Sequence, residues 1–558
     1  NSFALSIGGT YAWNQILGDV VASVTDSTLS NVGSLTIAAF NQSIVDARTE
    51  ATSQLTGGSG SALAVSVAFN AIGWSLGNFL FAALDAIIGD DFTVTANSTD
   101  TLAFIERSDV TVTGDVIVKA DNKSVINSRV SNEAIAQSTA VLLGSMGMAA
   151  GGVISSNRIL GSTKAYVNES RNGKKVSAGG NLLISATDAA GITSNVTLIV
   201  SSDATGHIVS SNSSAIGGQV VRNDVRSSVE ATIANTVVTA NSVVVKAEGK
   251  ASIHAIADST TQSSSSSAFG TGKSLAVNGV IATNLVLGDA SALISNSDVS
   301  TTGDVTVTAT NESSIEAIAK AVLASNGIGV GIVLAFNTIG WQAQNILFAA
   351  IDALLGTEIG TEDSCRVEAL VTNTRLDVGG DLSVTADMAA QLNAEISNDS
   401  SSVAEGLTTA TATAVSALLA SNMVSSSAQA AINYTGSKGY TGSKGDVTVD
   451  GALTVASSDA SGIDASSSMK AISSTETEIG GSTTSSVGGQ VVRNDVRSSS
   501  IASINNAFIT LGGSLSVTSD EASQLSANIE SIVSSSGESA FSTSSSLAVN
   551  GTIATNLV

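Results

Sequence analysis

Arg222, Asp224 and Arg226 alternate along one stretch of the 558-residue chain, and Arg493, Asp495 and Arg497 repeat the pattern. Alternation puts the three side chains of each set on one face of a strand. A carboxylate there can bridge two guanidiniums, and such guanidiniums can stabilise an enolate, the chemistry of polysaccharide lyases. Neither a second base nor a metal-binding acidic cluster stands beside them. The expectation is therefore a surface row of salt bridges, each weak.

Nucleophilic catalysis needs a base within reach of the nucleophile. The two histidines, His207 and His254, have no counterpart one long repeat later, where Glu478 and Leu525 stand, and they read as surface residues. GTGKS at 270–274 resembles a phosphate-binding loop, but Ser267 occupies the place of the motif's first glycine, so a plain turn is expected. Asp90, Asp91, Glu358, Glu362 and Asp363, with the turn acids Asp115, Asp304 and Asp381, are candidate oxygen ligands for Ca²⁺. The nonapeptide calcium repeat and the EF-hand pattern are both missing, which favours solvated turn acids. No other cofactor is expected. The sequons at Asn97, Asn168, Asn195 and Asn433 are within chance for a chain so rich in Ser and Thr. The segment TGSKGYTGSKG (435–445) is too short for a collagen helix and reads as a flexible loop made locally basic by Lys438 and Lys444.

Two longer segments are the strongest functional candidates. NFLFAALDAIIG (78–89) and NILFAAIDALLG (345–356) follow helical spacing, with Asn placed to cap the start and Gly just past the end. Eleven residues span about 16 Å, too short to cross a bilayer. Because these helices are apolar almost all round, they are expected to bury an apolar face on the chain itself or in a lateral contact between molecules. The interface candidates are Trp74, Phe81, Leu84, Ile87, Trp341, Phe348, Ile351 and Leu354. Asp at Leu84 or Ile351 should then impair folding or assembly.

These residues sit in a tandem array. GGQVVRNDVRSS at 217–228 recurs at 488–499, SLAVNG at 274–279 recurs at 546–551, and AFN-x-IGW at 68–74 recurs at 335–341. Self-similarity at a fixed offset defines a superrepeat of about 270 residues. Its copies are 1–270, 271–541 and the start of a third at 542–558. Within each lie four modules of about 62 residues, a period that signals stacked repeats. Every module is marked by a glycine-type turn and by an Asn closing an alternating run. The landmarks are Asn14, Asn70, Asn157, Asn223, Asn284, Asn337, Asn422, Asn494 and Asn556. The amide of each can bond to its equivalent one rung away. Apolar residues lie at −7, −5 and −3 before each Asn and on the other parity after it, which implies a corner or bulge there. After the turn, runs such as Val243, Val245, Ala247 and onward to Ala257 alternate with the period of a strand. Asp188, Gly249 and Asn311 mark a bend midway.

Composition agrees. Ordinary usage of about 5 % would put roughly 28 prolines in this chain, and it has none. Pro cannot donate to a ladder, so its absence suits a chain whose N–H groups are nearly all paired. Hydrophobic residues make up 43 %, too many for disorder, while aromatics make up only 3 %, as expected where small residues fill stacked columns. One cysteine, Cys365, excludes an intrachain disulfide framework. A formal charge of −24 argues against nucleic acid or anionic membranes. The chain begins without Met or a signal-peptide pattern, and reads as a section of something longer. The expected fold is all-β, a parallel β-solenoid with short inserted helices in two modules. Sequence leaves open whether a module is one wide rung or three short coils.

The module grammar, SLAVNGVIATN, then DASALISNSDV, then GDVTVTA, resembles the giant repetitive bacterial surface proteins of the filamentous haemagglutinin-like and leukotoxin-like filamentous adhesin type. The resemblance covers essentially the whole chain. It implies a secreted or cell-surface, β-helical, non-enzymatic stalk or filament for adhesion or cell–cell contact. Self-association and a surface glycan or protein receptor are the implied partners; no transmembrane segment is expected. A β-helical carbohydrate-active enzyme and an autotransporter passenger domain are the alternatives.

Overall fold

The computed structural model describes residues 3–75, 78–89, 95–140, 144–170, 172–206, 210–267, 272–407, 409–435 and 446–558, apart from the side chains of Phe79 and Phe81. His207, Asp90, Asp91, Lys438, Lys444 and the first two residues of GTGKS, Gly270 and Thr271, lie outside these residues, while Lys273 and Ser274 open a strand.

One module is one wide rung. Asn223 pairs with Asn284, and the whole strand Asn212–Ala234 lies beside Lys273–Ser295 in parallel register. A complete rung has four sides, as in Asn212–Ala234, Val237–Ala240, Val243–Gly249 and Ser252–Ser267. Each side stacks on its equivalents as a parallel sheet. The long first sides of nine rungs stack from Ala4–Ile16 to Ser544–Leu557, and each of the other three sheets has eight strands. This is the all-β parallel solenoid expected from the alternation.

Corners are set by local chemistry. After the long side the chain enters the left-handed region at Arg107, Glu169, Asn235, Asn296, Asn373 and Asn506, with φ between 46° and 54° for the asparagines. Asn tolerates that conformation because its short amide bonds locally. The bend between the third and fourth sides is held by the residue expected there: Asn311 accepts from the backbone and hydroxyl of Ser313 at 2.9 and 2.6 Å.

The parity switch at each landmark Asn does not exist. Lys273–Ser295 is continuous, and its even-numbered side chains face inward on both sides of Asn284. Before Asn284 these are Ser274, Ala276, Asn278, Val280 and Ala282, while the bulkier Leu275, Val277 and Ile281 face outward. The cause is the closeness of the opposite wall. Ser274 Oγ donates to Ser263 O at 2.6 Å and Asn278 Nδ2 to Ser259 O at 3.0 Å. A Cβ on Gly217 would stand 2.5 Å from Thr261 Oγ1. Small or short polar side chains fill most of these positions, and larger ones such as Val280, Val333 and Leu418 are confined to the column four residues before the Asn. Beyond the Asn the lumen widens, and Val286, Ile294, Val299, Val305, Val307 and Ile315 build the apolar core.

In two rungs the long side is interrupted after Ile72 and Ile339. Gly73 and Gly340 adopt φ of 75° and 78°, and a Cβ there would lie 1.9 Å from Leu160 O and 2.1 Å from Ser425 O. Glycine is therefore required where each insertion leaves the rung, which accounts for the repeated IGW. The chain returns at Thr99–Glu106 and Cys365–Thr372 to complete the side.

Candidate functional site

The insertions carry helices α1 (Phe79–Ile88) and α2 (Ile346–Leu355). Asn78 and Asn345 cap them by accepting from the N–H of Leu80 and Leu347, each at 2.9 Å, and Gly89 and Gly356 end them in the left-handed conformation. Each helix leaves its own rung and lies across the long sides of the next two. α1 covers Met146–Asn168 and Asn212–Ala234; α2 covers Ala410–Asn433 and Ser482–Arg497.

Beneath them lie the Arg–Asp–Arg sets. Neither is a surface row. Asp224 is fully buried, and it accepts from Arg158 at 3.1 Å, Arg222 at 3.4 Å and Arg226 at 2.8 Å. Arg222 also donates to the carbonyl of Asp85 at 3.0 Å, closing the C-terminal end of α1, where a cation complements the helix dipole. Trp74, itself buried, is stacked by the guanidiniums of Arg158 and Arg226, 4.1 and 5.0 Å from the ring. The second clasp repeats the plan. Arg493 and Arg497 bond Asp495 at 2.8 and 3.0 Å, Arg493 reaches the carbonyls of Asp352 and Thr357, and Arg497 stacks on Trp341 at 4.9 Å.

Electrostatics follow from burial and neighbours. Burial pushes the Asp224 carboxyl up, but Arg226, Arg158 and Arg222 more than offset this and hold it below the ordinary carboxylate range. Asp352 is also held low: burial opposes, and Gln344, the N–H of Ile359, Thr357 and the N–H of Gly360 together overcome it. Arg497 is pushed up by Asp495 and by Glu358 and Glu362. A carboxylate sealed beneath a helix and saturated by guanidiniums has no face open to a substrate, so its chemistry is to fasten α1. The thiol of Cys365, pushed up to about 12 by burial, is a poor nucleophile.

Five of the candidate calcium ligands have other partners. Glu358 and Glu362 both pair with Arg497, at 2.6 and 3.0 Å. Asp115, Asp304 and Asp381 each accept a backbone N–H from the next rung, at 2.8, 2.9 and 2.7 Å. Among the described residues no three His, Cys, Asp or Glu gather around one point. His254 pairs with Glu316 on the surface at 2.8 Å.

The interface candidates divide. Trp74 and Trp341 are buried, whereas Leu84, Ile87, Phe348, Ile351 and Leu354 are exposed, Leu84 by 44 % and Ile351 by 39 %. This corrects the expectation that the helices bury their bulky apolar face on the chain itself. What packs inward is Ala82, Asp85 and Ala86 in α1, and Ile346, Asp352 and Ala353 in α2. Small residues let a helix approach the sheet closely, and the large aliphatics are left outside.

The nine landmark asparagines form one unbroken ladder. Each Nδ2 donates to the Oδ1 of the next, from Asn14 to Asn556, through eight bonds of 2.8–2.9 Å. Among residues the sequence reading missed, Arg158 is the most consequential. No repeat signal marks it, because Met423 takes its place in the second superrepeat. The signal for the clasps was present in the exact recurrence of GGQVVRNDVRSS, a stronger identity than exposed salt bridges require.

Among the described residues no helix is long and apolar enough to cross a membrane. Comparison with protein-family models, with curated proteins and with solved structures returns no match.

Proposed function

We propose that the chain is a non-enzymatic structural section of a bacterial extracellular or cell-surface fibre, a rigid stalk or filament serving adhesion or cell–cell contact. The observation that carries this reading is the asparagine ladder running without a break through nine rungs. Each rung is tied to the next by four sheets and by an amide bond of the ladder, and each insertion binds its own rung to the two that follow. Such cross-linking along one axis resists bending and shear, and a stalk has that mechanical requirement. The repetition of clasps every four rungs fits a length-building module better than a single active centre. The two Arg–Asp–Arg sets that would serve an Arg-based polysaccharide lyase bury their carboxylates beneath α1 and α2.

Small-angle scattering tests the reading. Nine rungs at ~4.8 Å make a body about 43 Å long for each copy of this chain, and inserting a second copy of residues 12–281 in register after residue 281 should lengthen the particle by four rungs, about 19 Å. No increase in length, or release of oligosaccharides from a panel of acidic and neutral polysaccharides, overturns the proposal.

A further inference from the structure

The outward face of the long side, ahead of the asparagine ladder, is more apolar than the inward face. Ile7, Leu63, Ile216, Val277, Val330 and Val487 stand in one outer column, in register from rung to rung. Four residues further along the strand stand Val220, Ile281, Leu334 and Leu419. Ile216 is 43 % exposed and Ile332 42 %. None of these positions is charged, in a chain whose net charge is −24. The opposite wall of the rung shows what a solvated outer face looks like here: Lys320 pairs with Glu395 and His254 with Glu316.

Between the two aliphatic columns lies a third, occupied by Gly152, Gly218, Gly279, Gly489 and Gly551. A Cβ at any of the five would meet nothing within 4 Å, and none has positive φ, so neither crowding within the chain nor backbone conformation requires glycine. Glycine inside a strand is destabilising, and it often marks the close approach of another backbone. Val65 and Ile332 interrupt this column, four rungs apart, as knobs; the hollow between them is three glycines long, and the one beyond Ile332 is made of Ala417, Gly489 and Gly551.

We propose that this face is a lateral interface between two copies of the chain, packed sheet to sheet, with Val65 and Ile332 of one copy seated in the glycine hollows of the other. Two features select a second copy as occupant. A surface that repeats every ~4.8 Å over nine rungs is matched along its length only by another stack of strands, and the four-rung spacing of knobs and hollows is this chain's own. The size also fits: eight rung steps by six residues give about 38 by 20 Å, less the corner where Val67 and Ile154 pack in the cluster of Ala82 and Ala86, which is of the order of the ~800 Å² per partner of a stable dimer. The inference deepens the stalk reading by naming the surface through which stalks bundle.

The test is sedimentation velocity of the full 558-residue chain, with scattering on the same samples. The wild type is expected to dimerise at micromolar concentration. Gly218→Val with Gly279→Val, whose Cβ atoms would meet nothing in the chain's own fold, should weaken association at least tenfold while leaving particle length and thermal stability intact. Val277→Lys, on an outward-facing side chain, should do the same. A wild type that stays a monomeric rod overturns this interface and leaves the stalk reading standing; a particle that is not a rod overturns both. Association that survives the glycine variants but is lost in Leu84→Asp with Ile351→Asp also overturns it, because the contact would then run through the helices.

Discussion

The two clasps use the same helix, the same tryptophan and the same Arg–Asp–Arg strand, yet they balance charge differently. In the first, three guanidiniums converge on one fully buried Asp224, one of them from Arg158 in the rung below. In the second, Met423 stands at the place of Arg158, and the outer guanidinium of Arg497 turns to Glu358 and Glu362 at the surface. The first clasp is a buried ion cluster, and the second a partly solvated network extended by the loop that Asp352 organises. A docking plan can therefore be kept while its electrostatics are rebuilt, provided every buried charge finds a partner.

The sharpest break should come from Asp224→Ala, which leaves Arg158 and Arg222 buried without their counter-ion and should cost about 3–5 kcal/mol. Asp495→Ala should cost less, about 2 kcal/mol, because Arg497 keeps two surface acids. Thermal unfolding with hydrogen exchange on α1 and α2 reads both, and equal losses would erase the distinction between the clasps.

Acid should come next. The lowered Asp224 and Asp352 contribute stability that is present above about pH 4 and lost as pH falls through their folded-state values. Asp188 and Asp459, raised chiefly by burial, act with the opposite sign. Their corners gain stability as pH falls through the raised values toward about 4. Hydrogen exchange against pH should therefore show the corners tightening before the helices loosen; helices that loosen first contradict this order.

Exchanging the differing residues is a milder test. Arg158→Met should cost about 1 kcal/mol, the stacking on Trp74 being lost while Asp224 keeps two partners. Met423→Arg, placed beside Asp495, should be tolerated to a similar degree. The smallest effect belongs to Leu84→Asp and Ile351→Asp, each within about 0.5 kcal/mol because both side chains face solvent. A large loss of stability there would mean that the bulky faces are covered after all.

Much of the architecture was legible in the chain. Alternation at Val243, Val245 and Ala247 gave the inward face of the third side, and the spacing of the asparagines gave the period of the module, while only the pairing of Asn223 with Asn284 made one module one rung. The clasps were half legible. Exact recurrence marked GGQVVRNDVRSS as important, but a strand pattern cannot say which of its faces a distant insertion will cover. The apolar parity before each Asn misled for a related reason: hydrophobicity assigns a face to the core only when the lumen has room for it, and here Thr261 and Ser263 come too close.

Sequence alone determined the period, the strand character and the absence of proline, because each follows from local rules: side-chain alternation, ladder hydrogen bonds and turn chemistry repeated module by module. Tertiary structure decided which residues are inside, that Arg222 and Arg493 close helices belonging to rungs far earlier in the chain, and that Val277 faces out. Those outcomes depend on the distance between walls and on where an insertion comes to rest, and neither quantity is written in any one module.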